Sequence, residues 1–459
     1  MDEPVCLGCR DALQRITELE AQVAELTRKL EEAVRAAKRQ AAPFRKGPPK
    51  QKPKKPGRKS GDAHGTHGHR PPPPGPPDEC LHAPLPACCP HCRGQLTLTG
   101  RADQFQTEIP RRPIIRKFQV DIGQCNGCGR RVQGRHQLQT SDALGAARSQ
   151  VGPDAQAAAA LLHTRMGLSH GKVAAVFNAL FGIELTRGAS AQINLRAAQR
   201  LEPDYRHILD DLRRSEQIAA DETGWRVGGQ SAWLHVWVGD EVCAYAIDSQ
   251  RGADALERVI GLDWSGVLCH DGFCSYDRFE RAIHQSCLAH VLRRARELLE
   301  GAVRGAVRFP CQVITLLTEA IHWRNEYASD AWTDDQRDAY RASLDDRLLS
   351  LVSRRRVVPA YATLAKHLRR HLEQWFSFVF DPRIEPTNWK AEQAIRPAVV
   401  NRKVWGGNRS AAGAQAQSVL MSVVQTCRQH ARSVLDHVSL TLRAFGNRLL
   451  QRPALLPPR

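Results

Sequence analysis

The order of short apolar runs between residues 216 and 271 constrains this chain most. "IAADETGWRV", "SAWLHVWVGD" and "EVCAYAIDSQ" each read as a strand bounded by turn residues. "ADALERVIG" then reads as a helix, and "SGVLCHDGFCSYDRF" as a fourth strand ending on Asp271. Hairpin strands, a crossover helix and a parallel strand follow the order of a ribonuclease H-like core, with Asp221 expected to close the first strand. Carboxylates at the ends of neighbouring strands meet at one sheet edge, where their hard oxygens suit a divalent metal. An isolated Asp-Gly marks a turn more often than a ligand. It is the pairing with Asp221 that makes Asp271 a candidate. Glu222 adjoins Asp221, but strand alternation sends it to the opposite face, so it is left out of the site.

A third acid lies in "IEPTNWKAEQAIRPAVVNRKVWGGNRS", residues 384–410, where Glu392 stands in a stretch crowded with Arg, Lys and Asn. Asn388, Glu392 and Arg396 are spaced i, i+4, i+8 and share one face of a helix that opens after "EPTN". On a solvated face Glu392 would pair with Arg396. Delivered beside two strand-end aspartates, it instead completes a three-carboxylate site neutralised by metal ions. Arg396, Arg402, Lys403 and Arg409 would then hold DNA phosphates, with Asn388 a further contact to DNA.

Composition points the same way. A chain of 459 residues is too long for one compact core, and its net charge of +18 calls for a polyanionic partner such as nucleic acid. From Lys38 to Lys59 there are ten Lys or Arg and no acid, broken by Pro and Gly. That stretch reads as an extended linker, with Arg58 and Lys59 of "KKPGRK" suited to a minor groove. No apolar run reaches about 18 residues, and "MDEPVCLGCRD" lacks an apolar signal core, so the expectation is a cytoplasmic protein with no membrane partner.

In a reducing compartment, 14 cysteines, eight of them before residue 130, favour metal over disulfides. "CCPHCRGQL" and "CNGCGRR" supply Cys89, Cys92, Cys125 and Cys128, two Cys-x-x-Cys knuckles separated by "QFQTEIPRRPIIRKFQVDI", which reads as β-rich. Four thiolates so spaced form a tetrahedral site for one structural Zn²⁺. Cys6 and Cys9 have no nearby partner pair and default to free thiols.

Further upstream, Ile16, Val23 and Leu30 at a and Leu19 and Leu26 at d form about three heptads, the pattern of a parallel dimeric coiled coil. "GLSHGKVAAVFNALFGIELTRGAS" reads as helix, turn, helix, with Ser169 and Thr186 as N-caps, Gly182 as C-cap and an apolar face of Val173, Val176, Phe177 and Leu180. The resulting fold class is multidomain α/β. Residues 1–42 form a coiled-coil helix, 43–79 a basic Pro-rich disordered linker, and 80–145 a zinc ribbon-like module. Residues 146–215 form a helix-turn-helix-like domain, and 216–300 the first part of the ribonuclease H-like core. A helical insertion at 301–384, the core helix at 385–410 and C-terminal helices at 411–459 complete the chain.

"ADETGWRV", "CHDGFCSYDRF", "CLAHVLRR" and "PTNWKAEQAIRPAVVNRK", with the cysteine pairs and heptads, resemble the insertion-sequence 66 family of bacterial transposases over roughly residues 10 to 440. The resemblance implies a DDE transposase with Asp221, Asp271 and Glu392 as its acidic triad. It also implies two Mg²⁺ or Mn²⁺ ions per site, transposon-end and target double-stranded DNA, and accessory proteins of the same element as partners. His290 and Arg293 of "CLAHVLRR" become candidates for positioning phosphate or water. The family usually has two Asn before the Glu motif, whereas Trp389 stands here in place of the second. Two other readings use many of the same features: a catalytically inactive dimeric zinc-containing DNA-binding regulator, and a nuclease without strand transfer. The first leaves three acids in ribonuclease H-like order without a purpose.

Overall fold

In the computed structural model of the chain, the described residues are 73–107, 113–144, 150–302, 306–327, 332–446 and 450–456, with single positions between 15 and 26. They fall into two compact units, residues 1–112 and 113–459.

In the first unit the positions described between 15 and 26 are helical, and Ile16, Leu19, Val23 and Leu26 are all exposed. Leu30, Cys6, Cys9, Arg58 and Lys59 lie outside the described residues. Around Cys89 the chain closes a knuckle: Arg93 N donates to Cys89 O at 2.8 Å and Cys89 N to Gly94 O at 3.0 Å.

The second unit begins with a short antiparallel hairpin, β1 (Ile122–Gln124) and β2 (Arg131–Gln133), which frames the Cys125–Cys128 knuckle. Gly129 N donates to Cys125 O at 2.8 Å, and Cys125 N donates to Arg130 O at 2.9 Å. The stretch expected to be β-rich has no strand at 104–107 or 113–121. Pro113 has no N–H to give to a ladder.

Three helices follow: α1 (Pro153–Thr164), α2 (His170–Phe181) and α3 (Arg187–Arg214). Ser169 Oγ accepts from Lys172 N, Gly182 ends α2 in the left-handed conformation, and Thr186 Oγ1 accepts from Ala189 N, all as the sequence predicts. The buried face of α2 is Val173 and Phe177, with Phe181 packed beside them. Leu180, expected inward, is 58% exposed, because the stripe continues to Phe181 on the adjoining side of the helix. Helix α3 packs Leu201, Tyr205, Ile208 and Leu212 into one apolar cluster with Ile218, Ala220 and Trp237 of the sheet, so this helical segment shares the sheet's core.

The sheet contains β3 (Gln217–Val227), β4 (Gln230–Val238), β5 (Cys243–Asp248), β6 (Val267–His270) and β7 (Ile283–Ser286) in the order β5-β4-β3-β6-β7. The first three run antiparallel, while β6 is parallel to β3 and β7 parallel to β6. Helix α4 (Ala253–Val259) makes the crossover from β5 to β6. Strand β7 is additional to the four strands read from the sequence. Asp221 does not close β3, because β4 keeps pairing through Val227↔Gln230 after β6 has left at Ala219↔Cys269.

Helix α5 (Leu288–Glu300) leads into α6 (Arg308–Tyr327), α7 (Asp334–Ser353) and α8 (Pro359–Arg370), which build a second core around Trp323, Leu344, Leu364 and Trp375. Then come α9 (Trp389–Trp405), α10 (Ala411–Gln429) and α11 (Val434–Gly446). Helix α10 covers the free edge of β5. Cys243 N donates to Thr426 Oγ1 at 3.1 Å and Tyr245 N to Ser422 Oγ at 2.8 Å, which satisfies edge amides that would otherwise recruit another strand. Among the described residues no helix is long and apolar enough to cross a membrane.

Candidate active site

Sheet register brings the two aspartates together. β3 and β6 pair at Gln217↔Val267, Ile218↔Leu268 and Ala219↔Cys269. Continuing two residues past the last pair sets Asp221 level with Asp271, on the face that Ala219 and Cys269 share beneath α9. The ladder has ended there, so the gap between the strands is open.

Asp271 serves its turn as well as the site. Its Oδ1 accepts from Phe273 N at 2.8 Å, an Asx turn. Gly272 takes φ +84°, and a Cβ on it would lie 3.1 Å from His367 Cε1. Behind the turn, His270 is fully buried. Its Nδ1 accepts from Gly272 N at 3.0 Å, and its Nε2 lies 3.0 Å from His284 Nδ1. Burial and the neighbouring histidines drive its pKa well below the ordinary value, so a neutral imidazole holds the loop.

Glu392 sits in the first turn of α9, where the helix dipole favours a carboxylate. Asn388 fixes that start: its Nδ2 donates to Ala220 O at 2.7 Å, where the β3–β6 ladder stops, and its backbone N lies 3.1 Å from Cys287 Sγ. Leu288 N donates to Pro386 O at 3.0 Å, tying α5 to the same point. Asn388 was expected to contact DNA. It is instead fully buried, and its amide is used inside the protein to dock α9.

Glu392 does not pair with Arg396 along its own helix. Its Oε1 lies 3.6 Å from His290 Nε2 and 3.8 Å from Arg293 of α5. These contacts exceed hydrogen-bond length, and Glu392 Oε1, His290 Nδ1 and Asn388 Oδ1 are all buried without a hydrogen-bond partner. Among the described residues, the group of three His, Cys, Asp or Glu ligand atoms lying within 4.8 Å of one another is Cys287, His290 and Glu392. Asp221 and Asp271 stand outside that group, yet close enough to act on one another's charge.

Asp221 records that crowding. Burial, then the charges of Glu222, Asp271 and Glu392, push its carboxyl up to about 7, against one opposing hydrogen bond from Glu222 N. Strand alternation turns Glu222 away from Asp221, but into a buried clasp absent from the sequence reading, where burial and then the charge of Asp271 raise its pKa. Arg251 lies 2.6 Å from Glu222 Oε1 and 3.7 Å from Asp271 Oδ2, and Tyr276 donates to Glu222 Oε2 at 2.8 Å. Arg251 is held over the rings of Phe273 and Trp233. These partners lie 29 and 54 positions from Glu222 in sequence, beyond the reach of any local pattern.

The three acids fit a divalent-cation site. They offer hard oxygens, one of them an orphaned buried atom, and the raised pKa of Asp221 marks like charges that a cation would relieve.

Arg293, Arg396, Lys403 and Arg409 are exposed. Arg402, also expected at phosphate, is half-buried and turned inward: its guanidinium donates to Thr223 Oγ1 at 2.9 Å and to Gly224 O. It braces the far end of α9 on β3.

Comparison with known proteins gives two findings. Residues 148–416 match the model of the transposase IS66 family. Over 292 residues the chain is 27% identical to the uncharacterized protein y4qI of Sinorhizobium fredii (strain NBRC 101917 / NGR234), a match covering 57% of this chain and 53% of the relative. The chain thus spans about half the length of that curated relative. Because the family model covers more than half of the chain, including Asp221, Asp271 and Glu392, the chain belongs to the IS66 transposase family.

Proposed function

We propose that this chain is a DDE-type DNA transposase that cleaves transposon ends and joins them to target DNA, with Asp221, Asp271 and Glu392 as its catalytic acids. The observation that carries the reading is the level placement of Asp221 and Asp271 beneath the first turn of α9, where Glu392 Oε1 has no hydrogen-bond partner. Three antiparallel strands, two parallel ones and a late helix supplying the third acid support a ribonuclease H-like core.

Asp221, Asp271 and Glu392 would hold two Mg²⁺ or Mn²⁺ ions. When bound, the ions supply Lewis-acid stabilisation to the attacking and leaving oxygens of an in-line displacement at phosphorus. The protein's own part is to fix the acids. Asn388 locks α9 against Ala220, the Asx turn orients Asp271, and Arg251 holds Glu222 while reaching Asp271. His290 and Arg293, beside Glu392, orient the scissile phosphate or its nucleophile. Exposed Arg396, Lys403 and Arg409 carry sequence-independent backbone affinity.

The two cysteine knuckles are proposed to share one structural Zn²⁺, and the N-terminal heptads to pair two chains. A labelled transposon-end duplex incubated with the protein, Mg²⁺ and a target plasmid tests the reading. Labelled joint product is expected. Hydrolysis with no joint product would reduce the chain to a nuclease.

A further inference from the structure

A cavity of about 500 Å³ lies at the other end of α9 from Glu392, and of the residues given roles above it is lined by Arg409 alone. Three helix N-termini open onto it: α2 through Ser169 and His170, α3 through Arg187, and α10 through Ser410. None of the three has an acidic residue in its first turn. Their partial positive ends therefore lack the usual carboxylate, and Arg187 and Arg409 add full charges at the rim.

The interior is built differently. Asn194 and Gln417 line it at 6% and 2% exposure, yet Asn194 Oδ1 and Gln417 Nε2 have no hydrogen-bond partner. Trp405 Nε1, on the same wall, is likewise buried and unpartnered. Leaving such groups unmade is costly, and all three belong to side chains of the cavity wall, where a turn of each amide would bring its polar atoms onto a ligand carrying complementary groups. The wall also holds a stack of rings: His163 lies 3.9 Å from His170 and 4.9 Å from Trp405, near parallel to both.

We propose that this cavity receives one nucleotide extruded from the bound DNA, with its base against the open end of the His170–His163–Trp405 stack and its hydrogen-bonding edge on Asn194 and Gln417. The 5′ phosphate lies on the helix N-termini between Arg187 and Arg409. The cavity volume lies in the range that takes a small ligand. Burial lowers the pKa of His163 and, with the charge of His163, brings that of His170 to about 4, so both rings are neutral and the stack carries no charge. Position fits as well. Trp225 of β3 lies edge-on to Trp405 at 5.6 Å and is four residues from Asp221, about 13 Å along a strand. The extruded nucleotide therefore lies a few positions from the cleaved bond. Unpairing a base at that point would open the duplex for the acids, and reading its edge would add sequence preference that phosphate contacts cannot give.

This inference rests on the transposase reading, and the test separates the two. The full-length protein carrying Glu392→Gln is mixed with transposon-end duplexes bearing the fluorescent base 2-aminopurine at successive positions around the cleavage site. Binding is followed by mobility shift. Several-fold brightening is expected at one position or two neighbours, and Gln417→Met and Arg187→Ala should abolish it while the shifted complex still forms. Gln417→Met removes an unpaired donor with little change in volume, so it should melt no lower than its parent. A complex in which no position brightens, or in which Gln417→Met brightens like its parent, overturns the proposal and leaves the transposase reading standing. No complex at all overturns both. Free deoxyadenosine monophosphate provides a third arm: Gln417-dependent calorimetric binding with every DNA position silent would mean a free-nucleotide site and would overturn extrusion.

Discussion

Asp221→Asn should make the metal-free protein more stable at about pH 8, although it removes a proposed catalytic acid. The carboxyl of Asp221 rises from the ordinary 3.8 to about 7, first through burial and then through the charges of Glu222, Asp271 and Glu392. Between those values the folded state binds a proton that the unfolded state has lost, so stability falls as pH rises through this window and levels off above it. At about 1.36 kcal/mol for each pH unit, the ionised form is disfavoured by about 4 kcal/mol. Asparagine escapes the ionic part but must still bury an amide, which leaves a gain of ~1–3 kcal/mol. Thermal melts in a chelator should therefore show variant and wild type converging near pH 4 and the variant ahead by a few degrees near pH 8. Adding Mg²⁺ near pH 8 should raise the wild-type melting temperature and barely move that of the variant. Equal wild-type and variant stability near pH 8 would refute the claim that uncompensated carboxylates crowd this point.

Other expectations follow from single contacts. Asn388→Ala removes the amide bonded to Ala220 O and should cost ~1–3 kcal/mol, with slower cleavage and unchanged DNA affinity in a mobility shift. Metal analysis of the full chain should find one zinc per chain, lost with Cys92→Ser; a metal-free wild type would remove the zinc assignment. Val23→Asp with Leu26→Asp would place charge in the heptad seam and should shift the chain to monomer in sedimentation, while an unchanged profile would argue against N-terminal pairing.

How legible the site was depended on the range of the interaction. Alternation along β3 was sufficient to give Asp221 and Glu222 opposite faces, and the turn at Asp271 announced itself in "HDGF". The end of β3 was not legible, because it depends on β4 pairing on to Gln230 after β6 has diverged. Strand β7, "IHQS", is short and polar and offers no apolar alternation, although Gln285 and Ser286 are fully buried there. Helical spacing put Asn388 and Glu392 on one face correctly, yet it could not say that this face meets β3, so Asn388 was assigned to DNA. Arg402 went astray in the same way, since its partners Thr223 and Gly224 lie far off in sequence. The clasp of Arg251 and Tyr276 on Glu222 is a tertiary event that leaves no local signal.

The most direct test of the account is cleavage of transposon-end DNA by Glu392→Gln, with Glu385→Gln as its control. Glu385 is tied to Arg324 at 3.1 Å and takes no part in the proposed site. If Glu392 helps hold the catalytic ions, its loss raises the barrier by several kcal/mol, and about 1.4 kcal/mol is tenfold in rate, so cleavage and joining should fall by several orders of magnitude. Binding to the ends should persist, because the Lys and Arg contacts are untouched, and Glu385→Gln should cleave normally. Near wild-type cleavage by Glu392→Gln in Mg²⁺ would contradict the assignment of Asp221, Asp271 and Glu392 as the catalytic acids.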